Sequence, residues 1–127
     1  MTLPAYREIR NLPYYDPDWT GSGDAAYRQE RCTLDLYTPV QPGYATIVWF
    51  HGGGLQAGEK EIPEILKNRG VAVAAPNYRL SSARARCPDY LEDAAAAVAW
   101  VLRHVAGYGG DPARVYVSGG SGGAYLA

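Results

Sequence analysis

The chain has 127 residues, of which 47% are hydrophobic, so it is long enough for one small globular domain and too short for two. Twelve basic residues against thirteen acidic ones give a net charge of −1, and without a basic stripe the sequence does not favour nucleic-acid binding. No apolar run approaches the length of a membrane span, and the first residues lack the apolar core of a signal peptide, which predicts a cytoplasmic protein.

The first thirty residues, 1–30, are rich in Pro, Tyr, Asp and Gly and are predicted to form an extended arm. Within it, Tyr14–Trp19 concentrates aromatic side chains, which either cover part of an active-site mouth or pack on the edge of a sheet. Arg31–Tyr37 alternates apolar with polar residues and predicts a half-exposed strand. Pro39–Gly43 predicts the turn that follows this strand.

Three later segments have nearly continuous apolar residues and predict parallel strands that are buried on both faces. These segments are Ala45–Phe50, Val71–Pro76 and Val115–Val117. Between the first two, Glu61–Asn68 has apolar residues at helical spacing and predicts a short helix that stops at Gly70.

A long helix is predicted from Asp89, because Asp89 and Glu92 have the spacing of a capping box. Its apolar face is predicted to consist of Leu91, Ala94, Ala95, Val98, Leu102 and Val105. His104 near its end is interpreted as a solvated or partly packed side chain. The alternation of strands and helices predicts an α/β fold, a mostly parallel sheet with flanking helices.

The residues Gly119-Gly120-Ser121-Gly122-Gly123 fit the pattern G-x-S-x-G, in which a strand turns sharply into a helix. A serine at such a turn has a strained backbone, so the residues two before and two after it must lack a bulky side chain. The turn projects the hydroxyl of Ser121 away from the sheet, which predicts a nucleophile. Taken alone, the pentad also fits a flexible Gly/Ser linker.

A second glycine turn, His51-Gly52-Gly53-Gly54, directly follows the predicted strand Ala45–Phe50. In hydrolases with this turn, backbone amides stabilise the negatively charged oxygen of an acyl intermediate, and side chains would block access to those amides. On its own the HGGG sequence could also be a tight turn. Two glycine motifs, each placed directly after a strand, favour the hydrolase interpretation.

From about Arg31 onward the chain resembles the N-terminal half of an α/β-hydrolase, in the esterase/lipase group with HGGG turns that includes feruloyl-esterase-like proteins and carboxylesterases. The matching stretches are residues 49–54, 58–60, 77–80, 92–94, 100–101 and 108–112, followed by the turn at Ser121. The chain departs from the family pattern at Gly120 and Gly122, where the family usually has a larger residue and an alanine. The extra glycines are expected to loosen the turn.

The resemblance implies a function and a set of site residues. Ser121 would attack an ester carbonyl to form an acyl-enzyme, and the amides of Gly53, Gly54 and Gly122 would form the oxyanion hole. His51, Gly52, Gly119 and Gly123 would shape the two turns. A small-molecule ester is the implied substrate, and an amide or peptide hydrolase on the same scaffold is the alternative.

The acid and the histidine that activate the serine follow it in this fold, and neither occurs between Ser121 and Ala127. We therefore expect residues 1–127 to form one partial domain, with residues 31–127 ending just after the serine turn, that is inactive alone and aggregates or is partly unfolded. Val115–Val117 is then expected to be an unprotected sheet edge that self-associates. A non-catalytic chain that binds a partner through this edge is a further alternative.

No metal or cofactor is predicted. Cys32 and Cys87 have neither CxxC nor metal-site spacing and are predicted to be reduced thiols. The glycine turns lack the Lys-Ser/Thr of a phosphate-binding loop and do not give G-x-G-x-x-G, which argues against nucleotide binding.

Overall fold

A computed structural model describes residues 5–19 and 23–127. The strands are β1 (Tyr6–Pro13), β2 (Thr33–Pro39), β3 (Tyr44–Phe50), β4 (Ala72–Pro76) and β5 (Gly110–Gly119). The α-helices are α1 (Ala25–Arg31), α2 (Asp89–His104) and α3 (Gly122–Leu126). One turn of 3₁₀-helix occurs at Glu64–Leu66, and another at Val105–Tyr108 directly extends α2.

The strands form one sheet in the order β1-β2-β4-β3-β5. The pairs β4/β3 and β3/β5 are parallel, while β1/β2 and β2/β4 are antiparallel. The predicted α/β fold with flanking helices is confirmed, and its sheet is mixed. Because β3 and β5 are parallel neighbours, the loops that follow their carboxyl ends emerge side by side.

The core lies between the sheet and α2. Leu34, Leu36, Val48 and Phe50 on the strands form one buried cluster with Val101 on the helix. All five residues of β4 are buried, as predicted for a central strand. The prediction that Ala45–Phe50 is buried on both faces is wrong for β3, because its buried residues alternate with half-buried ones and only one face is fully covered.

The prediction of an extended arm over residues 1–30 is wrong for two of its segments. Residues 6–13 are strand β1, paired with β2, and residues 25–31 are helix α1. The helix begins because the carboxylate of Asp24 accepts a hydrogen bond from the amide of Tyr27 (2.9 Å), and Arg28 and Arg31 occupy its last turn. Residues 1–4 and 20–22 of the predicted arm lie outside the described residues.

The predicted helix over Glu61–Asn68 is wrong. Only Glu64–Leu66 is helical, as a single 3₁₀ turn. Pro63 disfavours helical geometry at the residue before it, and Asn68 has a φ of +59°, which ends any helix. Ile65, one of the apolar residues at helical spacing in this segment, is 72% exposed.

The start and the face of α2 also differ from the prediction. Pro88 is the N-cap, and Asp89 accepts a hydrogen bond from the amide of Arg86 (3.2 Å) instead of closing a capping box with Glu92. The buried residues of the helix are Asp89, Asp93, Ala94, Ala97 and Val101. The buried face differs from the predicted one because Asp93 faces the interior, where it pairs with the buried Arg79.

Strand β5 was predicted to be buried on both faces, and this prediction is wrong: Tyr116 is 58% exposed and Val117 is also exposed. It pairs only with β3 and ends the described sheet, which confirms the predicted open edge. The helix that follows, α3, has only five residues.

Cys32 is buried and Cys87 is exposed, and the two are not bonded to each other. Burial raises the pKa of the Cys32 thiol to about 12. In the described part of the chain, none of the helices has the length and apolar character needed to cross a bilayer.

Candidate active site

The serine turn connects the end of β5 with the start of α3. Ser121 lies between them with a φ of +51°, in the left-handed region that side chains other than glycine rarely occupy, and it is exposed. Such a backbone costs of order 1–3 kcal/mol and is found at functional turns. The sequence therefore predicted the position and the strain of this serine.

The glycines that flank Ser121 are required by contacts of the backbone. A Cβ atom at Gly119 would overlap the backbone of Gly123, and one at Gly123 would overlap the carbonyl oxygen of Phe50. The amide of Gly123 donates to the carbonyl of Gly120 (2.8 Å). Strand and helix can approach this closely only where both positions lack a side chain.

The second turn follows β3. Gly53 and Gly54 have φ values of +128° and +65°, in a region that residues with side chains rarely occupy. The carbonyl oxygen of Gly53 accepts hydrogen bonds from the amides of Gln56 and Ala57, each at 3.1 Å. This closes the turn into a compact loop.

The two turns lie against each other. The amide of Gly120 donates to the carbonyl of Phe50 (3.2 Å), and a Cβ at Gly52 would lie 3.5 Å from the Cβ of Ser121. A Cβ at Gly122 would lie 3.1 Å from the amide nitrogen of Gly54. The structure therefore brings the serine turn and the HGGG turn together at one corner of the sheet.

Several amides at this corner have no internal acceptor. Among the described residues, no hydrogen-bond partner occurs for the amides of Gly53 and Gly54. The amide of Gly122 lies in the first turn of α3, where amides have no partner within the helix. Unsatisfied donors beside an exposed serine are suited to bind an anionic oxygen.

His51 is a structural residue of the turn. It is 2% exposed, and its ring stacks on that of Tyr78 with centroids 4.4 Å apart. Nδ1 is 2.7 Å from the carbonyl oxygen of Gly52 and therefore carries the proton, which leaves Nε2 to accept from Arg31 (3.4 Å). Burial, and after it the charge of Arg31, lowers the pKa of His51, so the ring is neutral and is fully engaged.

His104 is not near the serine. It is the last residue of α2, is exposed, and its ring lies 4.7 Å from that of Trp100. Helix α2 starts on the side of the sheet where the two turns emerge and runs for 16 residues, or about 24 Å at 1.5 Å per residue. The interpretation of His104 as a partly packed surface side chain fits this position.

A group of polar residues around Arg31 supports the HGGG turn and was not found from the sequence. Arg31 donates to the carbonyls of Gly58 and Tyr78 and to the carboxylate of Glu59. Tyr78 in turn donates its hydroxyl to the carbonyl of His51 (2.7 Å). Two features of the sequence relate to this group: an arginine in the last turn of a helix, and a Gly-Glu pair after the glycine turn. Neither feature predicts that the arginine contacts the pair.

The aromatic segment Tyr14–Trp19 packs on the fold. Tyr14 is 1% exposed and donates to the carbonyl of Asn77 (2.5 Å), and Tyr15 donates to Asp93 (2.6 Å). Tyr14 and Tyr15 therefore fit the interpretation that these aromatic side chains pack on the sheet. The guanidinium of Arg28 lies over the rings of Tyr15 and Trp19 at 5.2 and 4.6 Å.

A cavity of about 670 Å³ lies away from the serine. It is lined by Pro42, Tyr44 and Arg114, among others, at the amino ends of β3 and β5. Ser121 follows the carboxyl end of β5, so this cavity and the serine occupy opposite ends of the sheet. The candidate site is therefore defined by the exposed serine and the nearby backbone amides, and not by this cavity.

A strand–serine–helix turn beside a glycine turn, on a sheet with flanking helices, is the arrangement of the α/β-hydrolase esterases. Residues 34–127 match the family model BD-FAE, and the chain belongs to that family. The resemblance predicted from the sequence is thereby confirmed, and the family is one of esterase- and lipase-type hydrolases.

Curated relatives include the phenmedipham hydrolase of Pseudarthrobacter oxydans, 35% identical over 115 residues that cover 81% of this chain and 23% of that protein. A probable isoprenylcysteine alpha-carbonyl methylesterase of Arabidopsis thaliana is 35% identical over 136 residues, covering 100% of this chain and 28% of the relative. The chain thus spans about a quarter of the length of the curated relatives it matches.

Solved structures show the same fold. The thermophilic esterase Est2 of Thermogutta terrifontis, in a butyrate-bound form, has a TM-score of 0.63 and 34% identity, covering 74% of this chain and 38% of that one. A truncated carbohydrate esterase from gut microbiota has a TM-score of 0.75 and 25% identity, covering 98% of this chain and 42% of that one.

Proposed function

We propose that the protein containing this chain is a serine carboxylic-ester hydrolase that acts through an acyl-enzyme at Ser121. The observation that carries the proposal is the meeting of two glycine turns around one exposed serine. The relatives include a methylesterase, a hydrolase and a lipase, which supports an ester as the substrate.

The chemistry follows from the atoms at the corner. The Ser121 hydroxyl attacks the ester carbonyl, and its proton passes to a general base as the C–O bond forms. The carbonyl oxygen becomes an oxyanion, which the amides of Gly53, Gly54 and Gly122 stabilise. The alcohol then leaves with a proton, and water hydrolyses the acyl-enzyme.

The general base is not among the histidines of this chain. His51 is buried and has both ring nitrogens engaged, while His104 lies at the remote end of α2. The proposal therefore places the base and its orienting carboxylate outside these 127 residues. We expect the 127-residue chain alone to show little or no turnover.

The test uses the complete gene product that carries this chain. Ser121→Ala should reduce hydrolysis of p-nitrophenyl esters by on the order of 10⁴-fold or more and abolish labelling by a fluorophosphonate probe. Ser118→Ala is the matched control, because Ser118 is an exposed serine three residues earlier on β5. Unchanged turnover in Ser121→Ala would refute the proposal, and a parallel panel of anilides distinguishes ester from amide hydrolysis.

We also propose that the isolated 127-residue chain self-associates through the open edge of β5. The outer side of this strand has no partner strand in the described sheet, and Tyr116 and Val117 expose apolar surface beside it. The cytoplasmic location is likewise a proposal, based on the two unpaired thiols, and fractionation of cells expressing the complete gene would test it.

A further inference from the structure

Arg31 is a buried arginine that joins three segments of the chain. It is the last residue of α1 and is 9% exposed. Its Nε donates to the carbonyl of Tyr78 (2.9 Å), Nη1 to the carboxylate of Glu59 (2.6 Å) and Nη2 to the carbonyl of Gly58 (2.7 Å). Each nitrogen of the guanidinium thus has an acceptor.

These contacts converge on the loop that contains the HGGG turn. Nη2 lies between the Gly58 carbonyl and Nε2 of His51, so one nitrogen contacts both ends of the segment 51–58. The two ends are also close to each other, because a Cβ at Gly58 would lie 2.5 Å from Nδ1 of His51. Gly53 and Gly54 lie between these fixed ends.

The carboxylate of Glu59 completes the support. One oxygen accepts from Arg31 and the other from the side-chain amide of Asn77 (3.0 Å), which follows β4. The hydrogen bond from Asn77 and, after it, the one from Arg31 lower the pKa of Glu59, so it is ionised at neutral pH. The loop after β3 is therefore tied to the loop after β4 and to α1.

We propose that Arg31 is a positioning residue of the oxyanion turn, which fixes the direction of the Gly53 and Gly54 amides by holding Gly58 and His51. The inference rests on the proposed function. A planar guanidinium reaches these separate acceptors at once, whereas an ammonium group cannot. Since Arg31 contacts no part of the serine turn in the described structure, it acts only through the glycine loop.

The second buried arginine provides a matched control. Arg79 is fully buried and its guanidinium binds Asp93, with one longer contact to the carbonyl of Asp89 (3.5 Å). It makes no contact with residues 51–58 in the part of the chain that the structure describes. Substitution of either arginine removes a buried charged contact, but only Arg31 contacts the glycine turn.

The experiment compares Arg31→Met, Arg31→Lys and Arg79→Lys in the complete gene product, with kcat and KM measured per folded enzyme. An oxyanion donor that points in the wrong direction weakens the binding of the transition state, while the binding of the substrate is little changed. We expect kcat to fall about a hundredfold in Arg31→Met and about tenfold in Arg31→Lys, with KM changed less than about twofold. Arg79→Lys should lower the melting temperature and leave kcat within about twofold.

A kcat loss in Arg79→Lys equal to that in Arg31→Met, or a change in KM alone, would overturn the inference. If Arg31→Met does not fold, Glu59→Gln decides, since the Glu59 side chain is 73% exposed and tolerates the change. It should lower kcat about threefold and speed hydrogen exchange at the amides of Gln56 and Ala57, which donate to the Gly53 carbonyl; wild-type values for both would refute the role. Full activity of Ser121→Ala refutes the proposed function instead, whatever the Arg31 variants show.

Discussion

The two turns of the site are supported very differently. The HGGG turn follows a strand with neighbours on both sides, and its first residue, His51, is 2% exposed and contacts Tyr78 and Arg31. The serine turn connects β5 with α3 and is held by close backbone contacts at Gly119, Gly120 and Gly123. The oxyanion side of the site is thus rigid by its own contacts, whereas the nucleophile side depends on close backbone packing at a few glycines.

This difference predicts that small changes at the serine turn have the largest effect. Gly123→Ala should lower kcat more than about a hundredfold, because a Cβ there would overlap the Phe50 carbonyl and displace Ser121 by about an ångström. Overpacking should also cost about 3 kcal/mol of stability. Kinetics and urea unfolding of the complete gene product measure both effects.

Gly122→Ala is the comparison for that change. Its Cβ would lie 3.1 Å from the amide nitrogens of Gly54 and Leu55, a contact that a shift of a few tenths of an ångström relieves. We expect a loss of less than about tenfold in kcat. Equal losses in the two variants would show that backbone overlap is not what positions the serine.

On the rigid side, the expected effect is a pH dependence of stability. Burial lowers the pKa of His51 from the ordinary 6.5, so below about pH 6.5 the unfolded chain binds a proton that the folded chain does not. The free energy of unfolding should therefore be level above this pH and fall as the pH drops through it. Glu59, whose pKa is also lowered, contributes a further loss only below its ordinary 4.5.

His51→Gln should flatten the slope between pH 7.5 and 5.5, as measured by urea midpoints in the complete gene product. If the slope survives His51→Gln, the neutral buried ring is not its source.

The smallest expected effect is on the open edge. Tyr116→Lys should change stability by less than about 0.5 kcal/mol, because the side chain is 58% exposed, yet it should reduce self-association by adding charge to the edge strand. Size-exclusion chromatography of the isolated 127-residue chain over a dilution series measures this. Val40→Lys adds the same charge at a 50% exposed position away from β5, and an equal reduction by both would argue against the edge.

The motifs could be predicted from the sequence because their requirements are local. A strained serine and the left-handed glycines Gly53 and Gly54 need particular residues at fixed spacing, and both turns occur where the sequence predicts them. Their adjacency follows from the parallel pairing of β3 with β5. Strand β4, in the centre of the sheet, could also be predicted, since a short continuous run of apolar residues favours a strand that is buried on both faces.

The errors have a common physical cause, which is that contacts distant in sequence decided the outcome. Helix α1 lacks an apolar periodicity and buries two arginines instead, although its N-cap Asp24 was a usable signal. The inward face of α2 is set by Asp93, whose partner is 14 residues away. Arg31 meets His51 and Tyr78 across 20 and 47 residues, and no local pattern records such a contact.

The contrast between the two thiols has a practical use. Cys32 is 3% exposed with a pKa near 12, so it stays protonated and out of reach of alkylating reagents at neutral pH. Cys87 is exposed two residues before the first residue of α2. A maleimide dye therefore attaches at one defined place in this chain, next to the helix that covers the sheet, and can report on opening of that helix without any engineered cysteine.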